Sequence, residues 1–156
     1  MLMLGKRLLL IALLLPGLAA CAGTAPRAAP IERTDGSGYV AADHALAMLG
    51  RPYRYGGYTP AGFDCSGLVH YSFRRAGLNL PRDTRSLRSV GSDVEWHRLS
   101  RGDLVFFDQE GKKSSHVGIY LGAGEFVHAP SSGGRVRVDR IDAPYWRRHF
   151  NEARRL

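Results

Sequence analysis

The sequence holds only two cysteines, Cys21 and Cys65, in 156 residues. A disulfide framework and a cage of four thiolates are both excluded. Acidic residues are also scarce: 14 Asp and Glu stand against 22 Lys and Arg, a formal charge of +8. The apolar run Leu8 to Leu15 is far shorter than the roughly 20 residues that cross a bilayer. No internal repeat and no second domain are marked. What is present, 44% hydrophobic and 10% aromatic residues, excludes a disordered or collagen-like chain. The length points to one domain.

Lys6 and Arg7 precede the apolar run, Pro16 and Gly17 break it, and small residues follow. That order describes a secretory signal. Leu18-Ala19-Ala20-Cys21 resembles the bacterial lipoprotein box. The resemblance implies cleavage before Cys21 and lipidation of its sulfur, and several acyl chains anchor a protein where one does not. Ala22 stands where an Asp often signals inner-membrane retention, which implies the outer membrane, facing the periplasm. An ordinary secreted protein with a free or paired Cys21 is the alternative. The expected organisation is a signal over 1–20, a lipidated Cys21 and flexible tether over 21–38, and one domain over 39–156. The tether is rich in Ala, Pro, Thr, Gly and Ser without a hydrophobic period. Without Lys6 and Arg7 the mature chain carries 20 basic against 14 acidic residues. Its expected partners are therefore anionic, lipid head groups and cell-wall polymer. Nucleic acid is not expected as a partner.

Within 39–156 the pattern runs from helices to strands. Tyr39–Leu49 has Val40, Ala41, Ala45, Met48 and Leu49 at helical spacing, with Gly50 as a stop. Residues 51–62 read as loop, marked by Pro52, Gly56, Gly57, Pro60 and Gly62. Asp64 is placed to cap a helix over Cys65–Ala76, with Leu68, Val69, Phe73 and Ala76 as its apolar face. Asp83 is placed to cap a third helix ending near Gly91. Strands follow over Asp103–Phe107, His116–Leu121, Glu125–Ala129, Val136–Val138 and Ala153–Leu156. Helices first and an antiparallel sheet later make an α+β domain.

An unpaired cysteine in an oxidising compartment needs a reason. Cys65 follows a helix cap, where free backbone N–H groups and the helix dipole favour a thiolate. A small buried hydrophobe is the plainer reading. Gly67 is expected to keep the space above the thiol clear. Of six histidines, His44, His70, His97 and His149 read as surface or packing residues. His116 and His128 differ. A symmetric hairpin turning at Leu121-Gly122-Ala123 sets them directly opposite each other on one face. His116 then faces the thiol while His128 bonds its other nitrogen, the arrangement of nucleophile, base and orienter. Val117, Ile119 and Leu121 point to the other face.

Several stretches resemble the NlpC family of bacterial cell-wall cysteine peptidases. They are Pro52-Tyr53-Arg54-Tyr55-Gly56-Gly57, Phe63-Asp64-Cys65-Ser66-Gly67-Leu68-Val69, Gly102-Asp103-Leu104-Val105-Phe106-Phe107 and Ser115-His116-Val117-Gly118-Ile119-Tyr120-Leu121-Gly122. Phe126-Val127-His128-Ala129, Tyr145-Trp146 and Ala153-Arg154-Arg155 fit as well. The resemblance covers nearly all of 39–156. It implies a papain-like α+β fold, N-terminal helices packed on a C-terminal antiparallel sheet, and hydrolysis of peptide bonds in peptidoglycan stem peptides. By position Cys65 is the implied nucleophile, His116 the base and His128 its orienter. The resemblance further implies that the Cys65 N–H and Tyr53 face the oxyanion or substrate, and that Asp64 and Ser66 hold substrate polar groups. Asp64 as a cap and Tyr53 as a core aromatic are the plainer alternatives. Asp83-Thr84-Arg85-Ser86-Leu87 and Asn151-Glu152 depart from the usual pattern, so subsite specificity does not carry over. Amidase or acyl-transfer chemistry on the same fold, and a non-catalytic wall-binding lipoprotein, are the competing functions. A zinc site from Cys65, His116 and His128 is geometrically open. A helix-start thiolate has a sufficient role without it, so no metal or other cofactor is expected. The domain is expected to act as a monomer.

Overall fold

The structure, a computed structural model, describes residues 36–156 except Glu110 and Gly133. The expected signal, Cys21 and most of the tether lie outside the described residues.

The first helix, α1, covers Ser37–Leu46 and buries Ala41, Ala42 and Ala45. Val40 and Leu49, expected in its apolar face, are exposed. The loop that follows contains a short hairpin the sequence reading missed, β1 (Tyr58–Thr59) on β2 (Gly62–Phe63). Helix α2 spans Cys65–Arg75, and Leu68, Val69 and Phe73 are buried as the spacing requires. Helix α3 is only Thr84–Leu87, one turn instead of the expected run to Gly91. Asp83 does cap it, accepting from the Ser86 N–H at 2.9 Å.

Six strands form one antiparallel sheet. They are β3 (Ser92–Asp93), β4 (Leu104–Gln109), β5 (Lys112–Gly122), β6 (Glu125–His128), β7 (Arg137–Arg140) and β8 (Phe150–Arg155), in the spatial order β3-β8-β4-β5-β6-β7. Strand alternation gives the sheet two buried faces. Leu104, Phe106, Val117, Ile119 and Val127 share a core with α1 and α2. Val105, Phe107, Phe126, Ile141, Trp146 and Ala153 form a second core on the other face. Trp146 comes from helix α4, Pro144–His149, another element the sequence reading missed. Its Pro sits at the start of the helix, where the missing N–H costs nothing. This is the α+β arrangement, with helices leading into an antiparallel sheet.

The β5–β6 register differs from the symmetric expectation. Ile119 pairs with Val127 and Tyr120 with Phe126, and the ladder then shifts toward Gly122–Glu125. The turn lies at Ala123-Gly124, with Ala123 at φ 51 and Gly124 at φ 80. The same register carries Gly118, not His116, to His128. The displacement is two residues, so side-chain parity survives and both histidines stay on one face. Gly118 leaves the room between them: a Cβ there would stand 2.6 Å from the Phe126 ring, 2.9 Å from the Val127 carbonyl oxygen and 3.2 Å from the His128 Cβ. Gly118→Ala is therefore expected to cost about 1–3 kcal/mol through overpacking. The check is a urea unfolding curve, whose midpoint should fall with its slope unchanged.

Candidate active site

The start of α2 is fixed by a local hydrogen bond. The Asp64 carboxylate accepts from the Gly67 N–H at 2.7 Å, as its position before Cys65 predicts. It also accepts from the Gly56 N–H at 2.9 Å and the Ser66 hydroxyl at 3.3 Å. Arg82 adds two charge-assisted bonds, at 2.9 and 2.7 Å to the two oxygens. The same guanidinium donates to Ser66 Oγ at 2.9 Å and the Gly57 carbonyl at 3.0 Å. Arg82 was given no role by the sequence reading, because nothing local links it to a residue 18 positions earlier. Gly67 does not clear space for the thiol. A Cβ on it would meet the Gly57 carbonyl oxygen at 1.9 Å, so its role is to let the preceding loop lie against α2.

Cys65 lines a cleft of about 550 Å³ with Tyr53, Asp64, Ser66, Arg82, Thr84 and Ser115. The structure thus brings together all four sequence-picked residues from 53 to 66. Cys65 is a free thiol, partly exposed on the cleft side and packed on the α1–α2 core behind. Its sulfur accepts hydrogen bonds from the Val117 N–H, the Thr84 hydroxyl and the Ser66 N–H. The Val117 contact follows from the ladder. The Tyr120 N–H bonds Asp103 on the β4 side, so the Val117 N–H points to the β6 side. Strand β6 ends at His128, opposite Gly118, and that amide is left for the sulfur. Burial nevertheless pushes the thiol pKa up, Asp64 adds to the rise, and the three hydrogen bonds only oppose it. The expectation of a resting thiolate at the helix start is corrected here. Desolvation of the charge outweighs the helix end.

His116 precedes Val117 and is 4% exposed. Its Nε2 lies 2.8 Å from His128 Nδ1. His128 is fully buried, and its Nε2 lies 3.0 Å from Asp139 Oδ2. The Trp146 ring stacks on His116 and stands edge-on to His128, with centroids 5.5 and 4.9 Å away. Its Nε1–H donates to Asp139 Oδ2 at 3.0 Å. Burial holds His116 down to about 3, with His128 adding to the effect. Burial also lowers His128, against the pull of Asp139. Burial alone would raise Asp139, but hydrogen bonds from His128 and Arg137 leave it well below the usual carboxylate range. Asp139 was missed because the connection 129–136 hides the β6–β7 register, which places it opposite Phe126 and on the face of His128. Among the described residues no group of three or more His, Cys, Asp and Glu side chains is arranged to hold a metal ion.

The NlpC/P60 family model matches residues 50–155. The chain belongs to the NlpC/P60 family. Two Escherichia coli K12 proteins are similar over most of the domain. Murein DD-endopeptidase MepS/Murein LD-carboxypeptidase is 46% identical, over 73% of this chain and 60% of that protein. Murein DD-endopeptidase MepH is 37% identical, over 75% of this chain and 45% of that protein. The chain thus spans about half the length of these curated relatives. The crystal structure of an NlpC/P60 family protein from Bacillus cereus superposes with a TM-score of 0.70 at 30% identity, covering 81% of this chain and 41% of that one. The NlpC/P60 likeness makes the fold papain-like.

The buried imidazoles give stability a pH signature. Exposed on unfolding, His116 titrates near the ordinary 6.5; folded, it is held to about 3. The unfolded state binds the extra proton, so stability is full above about pH 6.5 and falls as pH drops toward 3. Urea midpoints should decline from pH 7 to 5, above the carboxylate range, and His116→Gln should flatten that decline.

Proposed function

We propose that the chain is a peptidoglycan endopeptidase that cuts stem-peptide or cross-link amide bonds with Cys65 as nucleophile. The observation that carries this reading is the thiol at the cleft floor, hydrogen-bonded by the amide that follows a neutral, buried and oriented imidazole. His116, held to about 3, is unprotonated at neutral pH and is able to accept a proton. Because burial keeps Cys65 a thiol, attack and deprotonation go together: the sulfur adds to the carbonyl carbon as His116 takes its proton. His128 orients His116 through the 2.8 Å bond. The Cys65 N–H, at the first turn of α2 and outside the helical ladder, and Tyr53 serve the oxyanion. Collapse breaks the C–N bond, and the amine leaves with the proton from His116. Water, deprotonated by His116, then cleaves the thioester and restores the thiol.

Asp64 and Ser66 present the polar wall for the stem peptide, with Arg82 as the counter-charge of Asp64. The names of the MepS and MepH relatives favour the cross-link between stem peptides as the bond cut. The anionic wall polymer suits the basic chain. The reading extends to the leader: cleavage before Cys21, lipidation of its sulfur, and a monomeric domain tethered to the outer membrane on its periplasmic side.

Two measurements check these assignments. The wild-type protein should release soluble fragments from sacculi and split defined cross-linked muropeptides, with mass spectrometry identifying the new ends. Cys65→Ala should lower the rate to background, and undiminished cleavage by that variant removes Cys65 as nucleophile. For the anchor, Cys21→Ala should abolish incorporation of labelled palmitate and release the protein from the membrane fraction.

A further inference from the structure

We propose that Asp139 is a positioning residue of this reaction. Its carboxylate dictates which ring nitrogens of His128 and His116 carry protons, and so leaves His116 Nδ1 bare to take a proton from Cys65. The inference rests on the reading of Cys65 and His116 as nucleophile and base.

Asp139 Oδ2 receives the Trp146 Nε1–H at 3.0 Å and Arg137 Nη2 at 2.9 Å, and Arg137 Nε lies 3.1 Å from both oxygens. These neighbours are donors only, and Arg137 is a permanent cation. The cation and the N–H donors around it stabilise the charged carboxylate, so Asp139 is ionised and can only accept. The 3.0 Å contact to His128 Nε2 therefore places a proton on that nitrogen. His128 is buried and neutral, so it carries a single ring proton and its Nδ1 is a bare acceptor. The 2.8 Å contact then requires His116 Nε2 to donate. His116 is neutral in turn, which leaves Nδ1 as its one free lone pair. Without an acceptor at position 139 the chain can run in reverse. His128 Nδ1–H would donate to His116 Nε2, and the His116 proton would sit on Nδ1, where it blocks the base.

Arg137 and Trp146 act on the same atom. The Trp146 ring stacks on His116 while its N–H holds Asp139 Oδ2, so one side chain fixes both ends of the relay. The two donors on Oδ2 also predict how an amide behaves there. Asn at 139 should keep its carbonyl oxygen at the Oδ2 position and so preserve the direction of the chain. Leu, of similar shape, offers no acceptor.

The test uses the full-length protein and two variants, Asp139→Asn and Asp139→Leu. Nitrogen-15 imidazole spectra read the tautomers directly. The wild type should show protonated Nε2 and bare Nδ1 on both His116 and His128. Asp139→Leu should show the Nδ1-protonated form of His116, with kcat on a cross-linked muropeptide down at least about 10-fold and toward the roughly 100-fold lower end of a general base's contribution, and with KM little changed. Asp139→Asn should restore the wild-type tautomers and most of kcat. A wild-type spectrum with His116 protonated on Nδ1 overturns the proposal, and that spectrum decides even if the Leu variant does not fold. Unchanged tautomers in a folded Asp139→Leu overturn it as well. Correct tautomers with no muropeptide cleavage by the wild type would instead overturn the proposed function and leave the relay standing.

Discussion

Two imidazoles buried against each other can share a 2.8 Å hydrogen bond only if one donates and the other accepts. At rest both stay neutral, because burial disfavours the charge that an extra proton would bring. Much of the sheet's second core serves that constraint. Phe107, Phe126 and Trp146 enclose the pair and keep water from the rings. The same burial that keeps His116 unprotonated would make a lone imidazole costly. His128 satisfies one nitrogen of His116, and Asp139 satisfies the far nitrogen of His128.

Geometry on the strands follows from the same requirement. Two rings that meet end to end need more separation than a directly opposed pair allows. The register supplies it by setting His116 diagonal to His128 across Gly118, which has no side chain to intervene. The extra residue of β5 is absorbed between Tyr120 and Gly122, just before the turn at Ala123-Gly124. Strand β5 outlasts β6, and the Val117 amide left beyond the end of the ladder reaches the Cys65 sulfur. One edge of one strand thus carries both the buried His116 imidazole and a donor to the Cys65 sulfur.

On the helix side, Asp64 joins three segments. It caps α2, takes the Gly56 amide from the preceding loop and pairs with Arg82 beyond the helix. Its negative charge next to Cys65 adds to the rise of the thiol, and Arg82 holds the carboxylate in a two-pronged contact. Cys65 therefore rests as a thiol and His116 as a neutral imidazole. This is the reverse of the thiolate that a helix start by itself suggests.

The sequence by itself determined what short spacing controls. Asp64 before Cys65 dictated a capped helix start, because the bond runs only three residues. Alternation around Val117, Ile119 and Val127 assigned the core face, and put His116 and His128 together on the other. That survived a wrong register because the slip was even. The helix α4, the β1–β2 hairpin and the shortness of α3 were not legible, since elements of one turn or two residues leave almost no periodic signal. Only the tertiary structure decided the rest. Arg82 met Asp64, and Asp139 met His128, through connections whose length fixes no register. The proton affinities of Cys65 and His116 were decided there too, because desolvation sums over every atom that distant segments pack around a group, and no local pattern records that sum.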